Sequence, residues 1–242
     1  MTHARTIETF DLQPGRVIGG KYVVESKLGG GWEGEVYRVT EERTGARRAV
    51  KLFYPERNRG DRAVQVYARK LERLTHCPLV ISYHHSETMR VRDMPITLLV
   101  SEYVEGKILE NFIRSRSGRR LPELEALQIL RHIVHGLTQI HSAGVYHGDL
   151  HTENVLVRRR GVHFDVKLVD FLDAGRHSRA RANDDVIDAV RLLYDMLGGA
   201  ARYRHQPPEI KYIVGGLKHS IITKRFPTAA RLLDHLDTFP WA

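Results

Sequence analysis

The sequence predicts an α+β protein in two parts, a strand-rich half followed by a helix-rich half. From Tyr22 to Glu102 the apolar residues fall in short alternating or β-branched runs, separated by Gly, Asn and charged turns. Beyond Glu105-Gly106 they recur at helical spacing instead, and the change of texture falls at one place, Tyr103–Gly106.

Each element follows from its own pattern. Residues 1–15 read as a leader strand or arm ending at Pro14-Gly15. Strands are expected at Lys21–Lys27, Glu35–Thr40, Arg48–Phe53, Leu79–His84 and Ile96–Glu102, forming a small antiparallel sheet. Among them, Ala63–Thr75 places Val64, Tyr67, Ala68, Leu71 and Leu74 on one face, the stripe of a single helix packed on that sheet. Leu121-Pro122-Glu123 opens a second helix, with Leu127, Leu130, Val134, Leu137 and His141 along one face and Gly144 at its end. Asn154–Arg158 and Phe164–Val169 read as two short strands joined at Arg160-Gly161. The remainder is helical, most clearly Asp185–Leu197 and Ala229–Leu236. The expected division is an arm at 1–15, a first lobe at 16–103 and a second at 104–242.

Composition narrows the function classes. With 242 residues, 42% apolar and 28% charged, the chain can bury a substantial core. One cysteine, Cys77, excludes an internal disulfide framework and reads as a small apolar filler in a reducing compartment. The N-terminal residues lack the apolar core of a secretory signal, and no apolar run reaches the ~18 residues of a membrane span, so a soluble, cytoplasmic protein is expected. The formal charge of +9 favours anionic partners. Its arginines are scattered, however: Arg114, Arg116, Arg119 and Arg120 are interleaved with Ser and Gly, and Arg158-Arg159-Arg160 falls at a hairpin turn, which argues for solvated loops over a nucleic-acid groove.

The chemistry lies in a series of motifs. Gly29-Gly30-Gly31-Trp32-Glu33-Gly34-Glu35-Val36 fits G-x-G-x-x-G-x-V between two strands, a context that argues against a dinucleotide-binding strand–helix turn. Glycines there let backbone N–H groups approach phosphate oxygens. Ala49-Val50-Lys51 ends an apolar strand on a lysine, and His147-Gly148-Asp149-Leu150-His151-Thr152-Glu153-Asn154 sets a carboxylate and a carboxamide five positions apart after an apolar helix. Val169-Asp170-Phe171 follows one hairpin later.

In this order the motifs resemble those of the protein kinase superfamily over about residues 19–238, including the Asp185 helix and Lys224-Arg225-Phe226-Pro227-Thr228-Ala229 before the last helix. The resemblance implies a two-lobed kinase-like fold and an ATP-dependent phosphotransferase, a protein serine/threonine kinase as first choice. It implies that Gly29, Gly31 and Gly34 cover the phosphates of ATP and Lys51 anchors them, with Asp149 orienting the attacking hydroxyl and Asn154 and Asp170 holding Mg²⁺. Val36, Ala49 and Leu156 would enclose the adenine, Glu102-Tyr103-Val104 would form the hinge beside the purine, and Ser101 would be the gatekeeper.

The chain departs from the family pattern in five respects. Tyr67 stands where the helix glutamate that pairs with the strand lysine is expected, with Glu72 the nearest carboxylate. Gly148 replaces the arginine that receives a phosphorylated activation loop, Leu172 takes the glycine position after Asp170-Phe171, and only a short segment with Ser178 as its hydroxyl precedes Asp184. His-Gly-Asp-Leu-His resembles the loop of aminoglycoside and choline phosphotransferases. A small-molecule kinase and a nucleotide-binding pseudokinase acting through a regulatory partner therefore stay open as alternatives, and activity is expected without phosphorylation of the segment.

Overall fold

The computed structural model describes residues 7–171 and 178–238. Its contacts divide the chain into two compact units, Met1–Thr75 with Ile81–Val104, and His76–Val80 with Glu105–Ala242.

The first unit is a six-stranded antiparallel sheet with one helix. Strands β1 (Val17–Ile18), β2 (Tyr22–Gly30), β3 (Gly34–Glu41), β4 (Arg47–Phe53), β5 (Tyr83–Val91) and β6 (Met94–Glu102) lie in the order β1-β2-β3-β4-β6-β5, and helix α1 (Arg62–Arg73) follows β4. The strand period of two sorts the residues. One face carries Tyr37, Val39, Val50, Leu52, Leu98 and Val100, all essentially without solvent exposure. Ile7, Phe10 and Leu12 are buried in the same cluster, so residues 7–15 form no strand and instead cover the sheet.

Glu35 fixes that cover. It is buried beneath it and accepts hydrogen bonds from Thr9 Oγ1 (2.8 Å), Tyr54 Oη (3.1 Å), Tyr37 Oη and the Asp11 N–H (3.4 Å), with Lys27 Nζ at 2.8 Å. Tyr37 Oη in turn accepts the Leu12 N–H at 3.1 Å. Burial by itself would raise this carboxyl, but Lys27, Tyr37, Thr9 and Tyr54 outweigh it and bring Glu35 down to about 2.

Strand β5 differs from expectation. Leu79 and Val80 lie with the second unit, where Leu79 O accepts the Leu168 N–H at 2.7 Å and Val80 bridges Leu168. The strand begins at Tyr83 and runs to Val91, turning into β6 through Arg92 and Asp93, both at positive φ (51° and 66°) as a two-residue hairpin turn of primed type requires. Its exposed residues, His84, Ser86, Thr88 and Arg90, are polar because it is an edge strand, which hides it from a search for apolar runs.

The second unit is mainly helical. It contains β7 (Lys107–Ile108), α2 (Leu109–Arg114), α3 (Glu123–Ser142), β8 (Val155–Arg160), β9 (His163–Leu168), α4 (Arg179–Met196), α5 (Ala200–Tyr203), α6 (Pro208–Val214), α7 (His219–Arg225) and α8 (Ala229–Asp237). β7, β8 and β9 form an antiparallel sheet. Helix α3 buries Leu127, Leu130, Val134 and Leu137 as its spacing predicts, and packs on α4 and α8. Helix α4 starts six residues before the predicted Asp185, because Ser178 caps it: the Ser178 Oγ accepts the Arg181 N–H at 3.2 Å. Cys77 is buried against the Gly136 carbonyl, and burial pushes its thiol up, in keeping with a filler role. Leu172, read from sequence as standing in a glycine position, lies outside the described residues. Among the described residues no helix is long and apolar enough to cross a membrane.

The depressed Glu35 carboxyl has a stability consequence. A carboxylate whose folded pKa lies below its unfolded value contributes stability that is complete above about 4.5 and is lost as pH falls towards 2. Glu35→Gln is expected to cost on the order of 3 kcal/mol at neutral pH and to flatten the decline between pH 4.5 and 2. Urea unfolding across that range measures both effects.

Candidate functional site

The first unit presents a glycine-rich hairpin and a lysine. β2 ends at Gly30 and β3 begins at Gly34, and the turn closes with the Gly31 N–H on Gly34 O at 2.9 Å. A Cβ on Gly34 would lie 1.9 Å from Leu52 O, so only glycine lets β3 approach β4 there. Gly29 and Gly31 face open space, since a Cβ at either position would meet nothing within 4 Å.

Strand register puts Val36 opposite Lys51, Arg38 opposite Ala49, and Leu99 and Ser101 opposite Lys51 and Ala49 in turn. Val36, Ala49, Lys51, Leu99 and Ser101 therefore share the face turned away from the residue 7–12 cover. Ser101 is buried, Val36 and Ala49 are half-buried, and Glu102 gives its N–H to Ser82 O at 3.0 Å. Glu102 and Val104, at the end of β6, are both half-buried.

Lys51 is 8% exposed. Its Nζ lies 5.2 Å from the ring centroids of both Phe53 and Tyr67, and 2.8 Å from Glu33 Oε2 of the glycine-rich hairpin. Tyr67 thus meets the lysine from the helix position where a glutamate is expected, with an aromatic face in place of a carboxylate. Glu72 is exposed and pairs with no side chain among the described residues.

The second unit holds the other group of residues around one buried carboxylate. Asp185 is fully buried, accepting the His147 N–H and the Gly148 N–H at 2.8 Å each and facing His141 Nε2 at 2.9 Å. Gly148 has φ +82°, a conformation that favours glycine, and this turns its N–H onto Asp185. His147 accepts the Asp149 N–H on Nδ1 at 3.3 Å, which leaves Nε2–H to donate to Val169 O at 3.0 Å. Burial pushes this imidazole down, keeping it neutral in that tautomer, and its ring packs on Phe171 at 4.5 Å. One histidine therefore joins the Asp149 loop to the strand end that carries Asp170.

Asn154 completes the loop. Its Nδ2 donates to Asp149 O (2.8 Å) and Asp149 Oδ2 (3.3 Å), its backbone C=O accepts the Val169 N–H (3.1 Å), and it is buried. This orientation commits the amide nitrogen to Asp149 and leaves Oδ1 as the atom suited to a cation. Asp149 and Asp170 are both exposed carboxylates, Asp170 at φ 61°. His151 Nε2 lies 3.0 Å from Asn154 Nδ2 and 3.5 Å from Asp149 Oδ2. Leu156 is half-buried on β8.

Sequence reasoning missed Glu33 and the role of Asp185. The signal for Asp185 was present: it lies on the stripe of Ala189, Leu192 and Met196, and a carboxylate on a buried helix stripe must be hydrogen-bonded. For Glu33 no periodicity could point to Lys51.

Comparison with known proteins gives a consistent answer. The family model described as protein kinase domain matches residues 22–199. A putative cyclin-dependent kinase F-2 from Oryza sativa subsp. japonica is 33% identical over 154 residues, 62% of this chain and 46% of its own length. The serine/threonine-protein kinase PknL of Mycobacterium tuberculosis is 30% identical over 167 residues, 67% of this chain and 39% of its own. The chain spans less than half the length of these curated relatives. A crystal structure of a mutant PknI kinase domain from Mycobacterium tuberculosis superposes with a TM-score of 0.68 over 95% of this chain and 99% of that one, at 21% identity, which shows the fold.

The Asp185 arrangement predicts the effect of a minimal change. Asp185→Asn turns one acceptor oxygen into a donor, which opposes one of the N–H groups it now receives. A loss of about 2–3 kcal/mol is expected, read as a lower urea midpoint at unchanged slope; a midpoint like that of the wild type would show that the loop does not depend on this carboxylate.

Proposed function

The chain belongs to the protein kinase family, and from that premise we propose that it transfers the γ-phosphoryl group of ATP to a serine or threonine hydroxyl of a protein. Members of the family use ATP with a divalent cation. The observation that carries the reading is the Asp149–Asn154 pair, in which a carboxylate exposed to an acceptor is fixed by a buried amide whose oxygen remains available for a cation.

The residues take roles that their surroundings support. Gly29 and Gly31 leave the hairpin open to phosphate oxygens, Gly34 lets β3 close on β4 beneath them, and Lys51 supplies a half-caged positive charge to the α- and β-phosphates. Val36 and Ala49 share the Lys51 face and supply apolar contact to the adenine. The Glu102 N–H is given to Ser82, so the purine edge is met by the Glu102 carbonyl and the Val104 amide. Two oxygen groups, Asn154 Oδ1 and the Asp170 carboxylate, suit Mg²⁺, which keeps several waters and would neutralise phosphate charge there. Asp149 orients the acceptor hydroxyl and takes its proton as the bond to the phosphoryl group forms. The transition state is loose, so these residues accelerate transfer mainly by positioning and by fixed electrostatics.

The names of relatives such as PknL support a protein acceptor. A second reading, transfer to a small molecule, is favoured by His151, which contacts Asn154 where serine/threonine kinases usually carry lysine. Gly148 is engaged with Asp185 in place of the arginine that receives a phosphorylated segment, which supports activity without segment phosphorylation.

With labelled ATP and a panel of protein and small-molecule acceptors, the wild type is expected to label protein. Lys51→Met should lower MgATP affinity or turnover, and Asp149→Asn should keep ATP binding while losing about 10²–10⁴-fold in rate. Undiminished transfer by Asp149→Asn would remove Asp149 from the chemistry.

Tyr67 gives a separate expectation. Tyr67→Phe keeps the ring over Lys51 and should bind MgATP within about twofold of wild type. Tyr67→Ala removes a contact of about 1 kcal/mol and should weaken binding roughly fivefold, as calorimetry can measure.

A further inference from the structure

We propose that Arg57 is a positioning residue for the phosphate-covering hairpin: its guanidinium stacks on Trp32 at the hairpin tip and ties that tip to the turn that leads into α1. The inference rests on the nucleotide-binding reading above and adds a residue, outside the sequence motifs, that sets where the hairpin stands.

The contact joins two segments 25 positions apart. Trp32 follows Gly31 directly and is 67% exposed, and the Arg57 guanidinium lies 4.1 Å from its ring centroid, well inside the ~6 Å reach of a cation–π pair. Arg57 forms no ion pair among the described residues, so no carboxylate draws it away from the indole. Its own backbone is fixed. The Arg57 N–H and the Asn58 N–H both donate to Tyr54 O, at 2.9 and 3.1 Å. Asn58 is buried and spans to the helix: its Nδ2 donates to Asp61 Oδ1 at 2.9 Å, and its Oδ1 accepts the N–H of Val64, in the first turn of α1, at 3.3 Å. Tyr54 closes the turn on the hairpin side, donating its N–H to Glu33 O at 2.9 Å and its hydroxyl to Glu35 Oε1 at 3.1 Å. One side of the tip is thus held by a main-chain bond at Glu33, and the stack holds the other, at Trp32.

The glycines give the stack its purpose. Gly29, Gly30 and Gly31 are consecutive, and glycine loses more conformational freedom on ordering than any other residue. Backbone N–H groups can serve phosphate oxygens only where they already point, so freedom in three successive glycines must be removed when the phosphates bind and weakens the affinity by that amount. A large ring set directly after the glycines and stacked on a cation from a fixed turn removes part of that freedom beforehand. The effect acts on the phosphates and leaves the nucleoside untouched. Because Asn58 bonds the same turn to α1, hairpin and helix share one support. An Arg57 acting instead by its charge on the phosphates would have no need of the indole.

The test is a calorimetric titration with MgATP and, separately, with adenosine, of wild type, Arg57→Ala, Trp32→Ala, the double variant and Trp32→Phe, after circular dichroism shows that each is folded. Both single alanine variants are expected to bind MgATP about two- to fivefold more weakly, the equivalent of an exposed cation–π contact. The double variant should lose no more than the weaker single variant, and Trp32→Phe, which keeps a ring, should recover most of the loss. Adenosine affinity should stay the same throughout. With Trp241→Phe in the background, Trp32 is the sole tryptophan, and Arg57→Ala should raise acrylamide quenching of its fluorescence because one ring face loses its cover. Unchanged MgATP affinity, additive losses in the double variant, a loss in Arg57→Ala that Trp32→Ala does not share, unchanged quenching, or an equal loss for adenosine would each overturn the proposal while leaving the nucleotide site intact. Absence of MgATP binding by the wild type and every variant would overturn the nucleotide reading and this inference together.

Discussion

A carboxylate removed from water must be met by donors on every side, and two buried carboxylates organise this protein, one in each unit. Glu35 gathers Thr9, Asp11, Lys27, Tyr37 and Tyr54, and so fastens the residue 7–12 cover to the sheet at the base of the glycine-rich hairpin. Asp185 gathers His141, His147 and Gly148, and so fixes the loop that presents Asp149. In both cases the anion is costly to bury alone, and satisfying it determines where neighbouring segments must lie. The buried His147 extends the same logic: its two ring nitrogens face one acceptor and one donor, which fixes its tautomer and joins the Asp149 loop to the strand end that carries Asp170.

The groups assigned to the reaction follow a different rule. Asp149 and Asp170, proposed to meet a hydroxyl and a hydrated cation, are both exposed, as those roles require. Lys51 is the exception, almost buried yet charged. Its place is secured by two aromatic faces, which favour the ammonium without neutralising it as a carboxylate from α1 would. The rings leave the ammonium its charge, and Glu33 Oε2 stands 2.8 Å from it.

Surface charge is likewise arranged by tertiary structure. The arginine clusters at 114–120 and 158–160 look independent in sequence. In the fold Arg116 and Arg159 converge on Glu125, at 3.4 and 2.8 Å, over the Phe112–Phe164 pair. Arg116 and Arg159 lie 4.5 and 5.9 Å from those two rings respectively. Part of the positive charge counted in the composition is therefore locally compensated.

Local regularities were readable without the fold. The period of two located β2, β3, β4 and β6, the period of 3.6 located α1, α3, α4 and α8, and motif order identified the glycine-rich hairpin, Lys51, Asp149, Asn154 and Asp170 as candidates, because each depends on residues close along the chain. The edge strand β5 escaped because its outward residues are polar, and α4 began early because a single serine caps it. What only the tertiary structure decided is which side chains meet: Glu33 on Lys51 across 18 residues, Tyr67 over the same ammonium, and Asp185 beneath His147 across 38. Such pairings are set by strand register and helix packing, and spacing along one segment carries no record of the partner that another segment brings.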